Sequence, residues 1–358
     1  MPHCLERDRN KYYMNQIHLV KETSERSDKD NWTKIALCSD SGFGLESIEG
    51  CNQNAQNQVT HLIERALCHY IPEPLNLQDI YDAILHLEST QSLMKKTYFC
   101  SSFGLPLSYV IYGNSPNEYV KLFSIEKKIS LIKEFSSYKE FSLWIKSIKG
   151  WTSTSAFAHK DELPFFDTEL RKHGTAWPTN IDCFISSLNN EPKAILEFQN
   201  AHKTPIQNHC NNNYFWGLTS KDDQRRWFSQ EILRVQSGLP FLIITWSKVH
   251  KGFILKKLEK AVFPNFANTA LKILLKAFVQ KRVNGVGHKT ARQLYDEICK
   301  YHETEELYFE NGIMKIKVNK PPLSFENKTF PMLYYSFKQR MENNDHNKLV
   351  EMFKNALL

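Results

Sequence analysis

Apolar residues recur with helical and strand periods through the middle of the chain and predict an alternating order of elements. "DELPFFDTELRKHG" predicts a helix that stops at Gly174, and "NIDCFIS" and "KAILEFQ" predict two strands joined by a turn. "KDDQRRWFSQEILRVQSG" predicts a second helix. "LPFLIITWS", apolar on both faces, predicts a buried strand. The predicted order is therefore helix, strand, strand, helix, strand.

The segments before this block also carry clear patterns. Residues 53–70 predict an amphipathic helix, because their apolar positions recur three and four apart. Residues 105–125 predict a β-hairpin around the turn "GNSPN". Residues 138–149 predict a helix, with Ser137 and Glu140 as its capping box.

Beyond residue 260 the pattern is mainly helical, with a hairpin at Asn311-Gly312 and a last helix over about 345–357. The chain is long enough for several domains. We expect an N-terminal arm and helical region of unassigned role (1–100), an α/β core (101–260), and a basic, mainly helical C-terminal region (261–358).

Composition narrows the class of protein. The chain has 358 residues, 41% hydrophobic and 24% charged, which is ordinary for a globular protein. Its longest apolar stretches, such as residues 239–246, are too short to cross a bilayer, and the first residues lack the apolar segment of a secretory signal. We therefore expect a cytoplasmic protein, or in a eukaryote a nuclear one, with no membrane partner. The eight cysteines form no C-x-x-C pair, so we expect reduced thiols.

Positive charge is concentrated in one window. The formal net charge is +7, and residues 261–295 contain no Asp or Glu. The same window holds six basic residues: Lys272, Lys276, Lys281, Arg282, Lys289 and Arg292. Clustering of one sign predicts a polyanionic partner. A solvated helix face is the alternative.

Three polar residues interrupt the two central predicted strands. Asp182 lies near the start of the first strand, and Glu197 and Gln199 share one face of the second. A carboxylate in a buried strand needs a compensating partner. If the strands pair in register, Asp182 lies opposite Glu197. These carboxylates and the backbone carbonyl of Phe198 are hard oxygen ligands suited to Mg²⁺. The alternative is a hairpin that carries a salt bridge.

The order of these elements, with an Asp strand followed by an E-x-Q strand, resembles the PD-(D/E)xK nuclease superfamily over about residues 160–250. The resemblance implies a restriction-endonuclease-like mixed β-sheet core flanked by helices. It implies Asp182 and Glu197 as Mg²⁺ (or Mn²⁺) ligands and Gln199 as the third motif residue. Arg226 and Gln230 on the following helix would be phosphate-side contacts. The implied function is a DNA endonuclease in restriction, phage defence or recombination, acting as a homodimer or with other proteins of those systems.

The chain departs from the family pattern at Gln199, where Lys is usual. A Lys would orient the attacking water and offset negative charge, whereas Gln supplies no charge. Lys193 and Lys203 are the candidate substitutes near this strand. The departure also leaves open a catalytically degenerate nuclease fold that serves as a nucleic-acid-binding subunit, or an interaction protein in which both carboxylates are structural.

The helix before the Asp strand offers a third acid. Asp167 borders the apolar face of that helix more closely than Glu169 does, so Asp167 is a candidate outer metal ligand. The alternative is that Asp167 and Glu169 are both ordinary charges on the surface of the helix.

The segment "RVNGVGHKTARQL", residues 282–294, resembles the helix-hairpin-helix motif of DNA-repair proteins. Gly285 and Gly287 would allow a tight turn, and the N–H groups from His288 to Thr290 would face a phosphate. Lys289 and Arg292 would add charge. The alternative is an ordinary turn between helices.

Overall fold

A computed structural model describes the protein over eleven segments. These are residues 5–6, 42–71, 73–114, 118–149, 165–200, 221–246, 252–262, 307–310, 313–316, 332–342 and 345–357.

The described residues form strands and helices in the following order. The strands are β1 (Leu5–Glu6), β2 (Gly44–Gln53), β3 (Val59–Cys68), β4 (Leu107–Tyr112), β5 (Val120–Ile125), β6 (Ile129–Phe135), β7 (Thr179–Ser186), β8 (Pro192–Asn200), β9 (Phe241–Trp246), β10 (Phe253–Val262), β11 (Leu307–Glu310), β12 (Ile313–Ile316) and β13 (Met332–Met341). The helices are α1 (Leu77–Glu88), α2 (Thr90–Ser101), α3 (Tyr138–Ile148), α4 (Phe165–Lys172), α5 (Lys221–Ser237) and α6 (His346–Leu357).

The chain divides into two compact units. The first comprises residues 1–198, 232–241 and 344–358, and the second comprises residues 199–231 and 242–343.

A large mixed sheet forms the centre of the first unit. Its strands run in the order β8-β7-β2-β3-β4-β5-β6, and β1 pairs with β3. The β3–β4 pair is parallel, whereas the other described ladders of this unit are antiparallel. A parallel pair needs a long crossover, which α1 and α2 provide between β3 and β4. The α/β class with a mixed sheet flanked by helices is therefore confirmed.

An aromatic cluster packs α3 and α4 with residues of the sheet. Tyr112 of β4 stacks on Phe166 of α4 with ring centroids 3.9 Å apart, and Phe166 also contacts Phe141 of α3. Trp177, in the turn after α4, belongs to the same buried cluster. Phe166 is fully buried, and the next residue, Asp167, is buried as well.

The second unit contains a ladder and a separate hairpin. β10 neighbours β9 on one side and pairs with β13 in antiparallel register on the other. β11 and β12 form the hairpin. Residues 261 and 262 of the basic window end β10, and the rest of that window, residues 263–295, lies outside the described residues.

Most of the predicted elements are confirmed. The hairpin of β4 and β5, helices α3 to α6, and strands β7, β8, β9, β11 and β12 all occupy the predicted segments. At the start of α3, Ser137 Oγ accepts from the Glu140 N–H at 3.3 Å. The Glu140 carboxylate bonds the N–H of Ser136, one residue earlier than a capping box requires.

The predicted helix over residues 53–70 is wrong, because this segment contains β3. Both faces of β3 are largely buried, so its apolar residues do not alternate with polar ones as they do in a half-exposed strand. The polar residues Glu64 and Arg65 would form the solvent face of a helix, but here both are buried. The strands β1, β2, β6, β10 and β13 and the helices α1 and α2 were not predicted from the sequence. Over the described residues, no helix is long and apolar enough to span a membrane.

Candidate active site

Asp182 and Glu197 lie on paired strands of the first unit. The antiparallel register of β7 and β8 matches Phe184 with Ile195 and Cys183 with Leu196. The paired residues end at Cys183 and Leu196, and continuing the same register by one residue on each strand would set Asp182 opposite Glu197. Directly opposed residues have Cβ atoms about 5 Å apart. Asp182 is half-buried and accepts a hydrogen bond from Asn180 Nδ2 at 3.2 Å, whereas Glu197 is only 4% exposed.

Two contacts of Trp177 anchor the turn that leads into β7. The Trp177 Nε1–H donates to the Glu49 carbonyl at 3.0 Å, and the Arg65 guanidinium lies 4.4 Å from the ring centroid. Gly174, with φ of 71°, ends α4 in the left-handed region that favours glycine. These contacts fix where β7 begins, and Asp182 is the fourth residue of that strand.

Gln199 lies two residues after Glu197 along β8, so the two side chains leave the same side of the strand. In the second unit its Oε1 accepts hydrogen bonds from Thr245 Oγ1 and from Lys256 Nζ, each at 3.0 Å. An amide oxygen has two lone pairs, and these donors use both. The two N–H donors of this amide are on Gln199 Nε2.

Lys256 is a fully buried lysine on β10. Its ammonium also lies 5.3 Å from the centroid of the Tyr335 ring. Lys193 and Lys203 were the sequence-based candidates to replace the lysine that the family pattern has at position 199. Lys193 is 41% exposed and pairs with Glu191 at 2.5 Å. Lys203 lies outside the described residues.

Asp167, the candidate outer metal ligand, instead pairs with a buried arginine of the first unit. Its Oδ2 lies 2.5 Å from Arg65 Nη1, and both side chains are 2% exposed. Arg65 Nε also donates to Glu49 Oε2 at 2.9 Å. The structure thus gives Asp167 a protein cation as its partner. Its burial also removes the alternative of a helix-surface charge for Asp167.

Burial and charge act in opposite directions on this cluster. Burial raises the pKa of Asp167, and the nearby Arg65 cation opposes that rise. Burial lowers the pKa of Arg65, but the Asp167 and Glu49 carboxylates more than offset it, so the pKa of Arg65 rises above its usual value. The guanidinium therefore stays charged across the whole physiological range.

A second buried ionic cluster lies on the other face of β3. Lys96 Nζ is 3.0 Å from Glu64 Oε2 and 2.7 Å from Glu88 Oε2, and Tyr109 Oη donates to Glu88 Oε1 at 3.2 Å. Each of these acids has a basic partner and lies within the packed sheet and helices. We interpret this cluster and the Arg65 cluster as structural.

The other predicted contact residues are only partly described. Gln230 of α5 is 8% exposed, and its Oε1 makes no hydrogen bond to the described part of the chain. The side chain of Arg226 lies outside the described residues, as do Gly285, Gly287, His288, Lys289, Thr290 and Arg292.

The donor set at β7 and β8 fits a hard cation. Mg²⁺ is usually held by one or two carboxylates and keeps several of its waters. Asp182 and Glu197 supply two carboxylates, and the Phe198 carbonyl is a further candidate ligand. Among the described residues no group of three or more His, Cys, Asp or Glu side chains converges on one point. A site here would therefore depend on this pair.

Sequence reasoning missed Thr245 and Lys256. The sequence "FILKKLEKAV" contained a signal for Lys256, because alternation along a strand puts Ile254, Lys256 and Leu258 on the same face. A lysine between two apolar residues of a strand face is a candidate for burial. Arg65 gave no comparable signal, since its partner Asp167 is far away in sequence.

Comparison with protein-family models, characterised proteins and solved structures finds no match to this chain.

Proposed function

We propose that the chain is a Mg²⁺-dependent DNA endonuclease of the PD-(D/E)xK type, which acts in the cytoplasm in restriction, phage defence or recombination. The register of β7 and β8 carries the proposal, because continuing it by one residue on each strand would set Asp182 opposite Glu197. Two carboxylates on adjacent strands can share a cation, and the anchored turn before β7 holds Asp182 at a fixed place. The order of α4, β7, β8, α5 and β9 further supports it.

The residues would divide the work of phosphodiester hydrolysis. Asp182 and Glu197 would hold the metal ion, which when bound polarises a phosphoryl oxygen and makes its water more acidic. Gln199 would orient the attacking water or a phosphate oxygen through its Nε2 donors. The water oxygen forms a bond to phosphorus, and the bond from phosphorus to the leaving oxygen breaks. The proton lost by the water passes to solvent, and the leaving oxygen takes up a proton.

The direct test uses the whole chain with supercoiled plasmid DNA. We expect nicked or linear DNA with Mg²⁺ or Mn²⁺ and intact plasmid with EDTA. Intact plasmid under every metal condition, from a folded chain, would contradict the proposal.

A catalytically degenerate, nucleic-acid-binding fold is the second candidate. It is favoured by Gln199, because an uncharged amide stands where the family pattern has a lysine. This candidate expects DNA binding that is retained without cleavage, so a binding assay beside the cleavage assay separates the two.

Gln199→Ala is expected to lower the single-turnover cleavage rate while leaving Mg²⁺ affinity near that of the wild type. The reason is that Gln199 orients a reactant and does not hold the cation. Loss of one such donor costs about 10²-fold in rate. Calorimetric titration with Mg²⁺ supplies the second measurement. A large loss of Mg²⁺ affinity would show that Gln199 is a metal ligand.

Charge in the basic window is expected to set DNA affinity without setting sequence preference. Neutralising both Lys289 and Arg292 should weaken binding to all sequences alike, because phosphates are common to them. Each lost phosphate contact lowers the slope of log K against log salt by about one. Gly287→Val should weaken binding by disturbing the turn. In filter-binding titrations across salt concentrations, an unchanged slope in the double variant would exclude this segment from DNA binding.

A further inference from the structure

A buried lysine, Lys256, is hydrogen-bonded to the side chain of Gln199. Lys256 is fully buried, and its Nζ lies 3.0 Å from the Gln199 amide oxygen. Burying an ammonium is costly even when it is hydrogen-bonded. This ammonium is directed at the residue that occupies the third position of the motif. The position therefore regains a positive charge, supplied from a different strand.

We propose that Lys256 is a positioning residue that supplies, through the Gln199 amide, the positive charge that this position of the active site otherwise lacks. The proposal rests on the proposed function and names a residue that the sequence motif does not contain. Lys256 acts from β10, whereas Gln199 is on β8.

The chemical effect passes through the amide group. An ammonium that donates to Oε1 draws electron density toward the oxygen and makes the Nε2–H groups stronger donors, since linked hydrogen bonds reinforce one another. Thr245 occupies the second lone pair and fixes the amide so that oxygen faces Lys256 and nitrogen faces away. A polarised, fixed donor favours the negative charge that develops on a phosphoryl oxygen during hydrolysis.

The arrangement also explains why a lysine at position 199 is not required. Gln199→Lys alone would bring two ammonium groups together in a buried setting, and like charges at that separation repel strongly. We therefore expect Gln199→Lys to be harmful while Lys256 is present. The same substitution should be tolerated once Lys256 is replaced by glutamine.

The experiment compares four full-length chains: wild type, Lys256→Met, the exchange variant Gln199→Lys/Lys256→Gln, and Lys257→Met. Lys257 is the matched control, because it neighbours Lys256 on β10 but is only half-buried. Function is measured by the single-turnover cleavage rate with Mg²⁺, the Kd for DNA with Ca²⁺ in place of Mg²⁺, and the Mg²⁺ affinity. Folding of each chain is measured by circular dichroism and its melting temperature.

Lys256→Met should cleave about 10²-fold more slowly, as expected for loss of one preorganised charge. It should bind DNA in Ca²⁺ about tenfold more weakly, as expected for one weakened charge-assisted contact. Mg²⁺ affinity should stay within about twofold, because the carboxylate pair is untouched. The exchange variant should recover the cleavage rate to within about tenfold of wild type and should bind DNA more tightly than Lys256→Met, since the ammonium–amide pair is rebuilt with its members exchanged. Lys257→Met should match the wild type.

Two outcomes overturn the proposal. One is wild-type cleavage and DNA affinity in Lys256→Met. The other is a folded exchange variant, with wild-type circular dichroism, that recovers neither property. Failure of the proposed function gives a different result: the wild-type chain does not cleave, and the Ca²⁺ binding data alone then decide whether Lys256 contributes to the site. A structural role for Lys256 predicts lower melting temperatures without the recovery in the exchange variant.

Discussion

Asp182→Ala and Glu197→Ala are each expected to abolish Mg²⁺-dependent DNA cleavage, with a loss of at least about 10³-fold. The contribution of a catalytic cation amounts to several kcal/mol of transition-state stabilisation, and each 1.36 kcal/mol is a factor of about ten in rate. Each of the two strands would supply one carboxylate ligand, so either substitution leaves the cation with a single carboxylate. Single-turnover cleavage and calorimetric Mg²⁺ titration are the measurements, and both signals should be lost together.

Glu191→Ala is the matched control for these variants. Glu191 immediately precedes β8 and pairs with Lys193, but its side chain is 66% exposed. Its removal should leave cleavage and Mg²⁺ affinity unchanged. Near wild-type cleavage by a folded Asp182→Ala or Glu197→Ala chain would remove these residues from the catalytic role.

Arg65→Met is expected to destabilise the first unit by about 3–5 kcal/mol, which is typical when one member of a buried ionic group is removed. The substitution leaves Glu49 and Asp167 buried without their shared cation. It also removes the guanidinium that packs against the Trp177 ring. Urea unfolding measures the loss. Lys172→Met is the control on α4, because the Lys172 side chain is 61% exposed and its ion pair with Glu169 should contribute less than about 1 kcal/mol.

The loss in Arg65→Met should grow as the pH rises. A carboxyl whose pKa is raised on folding binds its proton more tightly in the folded state. The stability from that proton is complete below the unfolded pKa of about 4 and is lost as the pH rises through the folded pKa. Arg65 opposes the rise in the pKa of Asp167, so its removal raises that pKa further. The wild-type to variant difference should therefore be larger at pH 8 than at pH 5.

Asp167→Asn in the Arg65→Met background should reduce this pH dependence, because the titrating carboxyl is gone. A difference in unfolding free energy that is the same at both pH values would show that Asp167 does not titrate with folding. A loss below about 1 kcal/mol in Arg65→Met would show that the cluster is solvated.

The central elements were predictable because their patterns are local. β7, β8, α5 and β9 each carry a periodicity and stop signals within a short segment. Glu197 and Gln199 share a side of β8 for the same reason, since side chains alternate along any strand. Setting Asp182 opposite Glu197 requires one further fact, the register of β7 and β8, continued by one residue beyond Cys183 and Leu196.

β3 shows where local pattern fails. Its apolar spacing fits a helix, and Glu64 and Arg65 resemble a solvent-facing pair. Their partners Lys96 and Asp167 come from helices far along the chain. Charge compensation at such separations has no period in sequence, so only the folded chain could reveal that this polar pair is buried.

By itself, the sequence determined the α/β class, the position of the central strands, and that Glu197 and Gln199 share one side of β8. Each of these depends on backbone geometry repeated every few residues. Tertiary structure decided that Asp167 belongs to Arg65 and that Gln199 receives a buried ammonium from Lys256. Both depend on which strands and helices become neighbours, which is fixed by packing and by the need to neutralise buried charge.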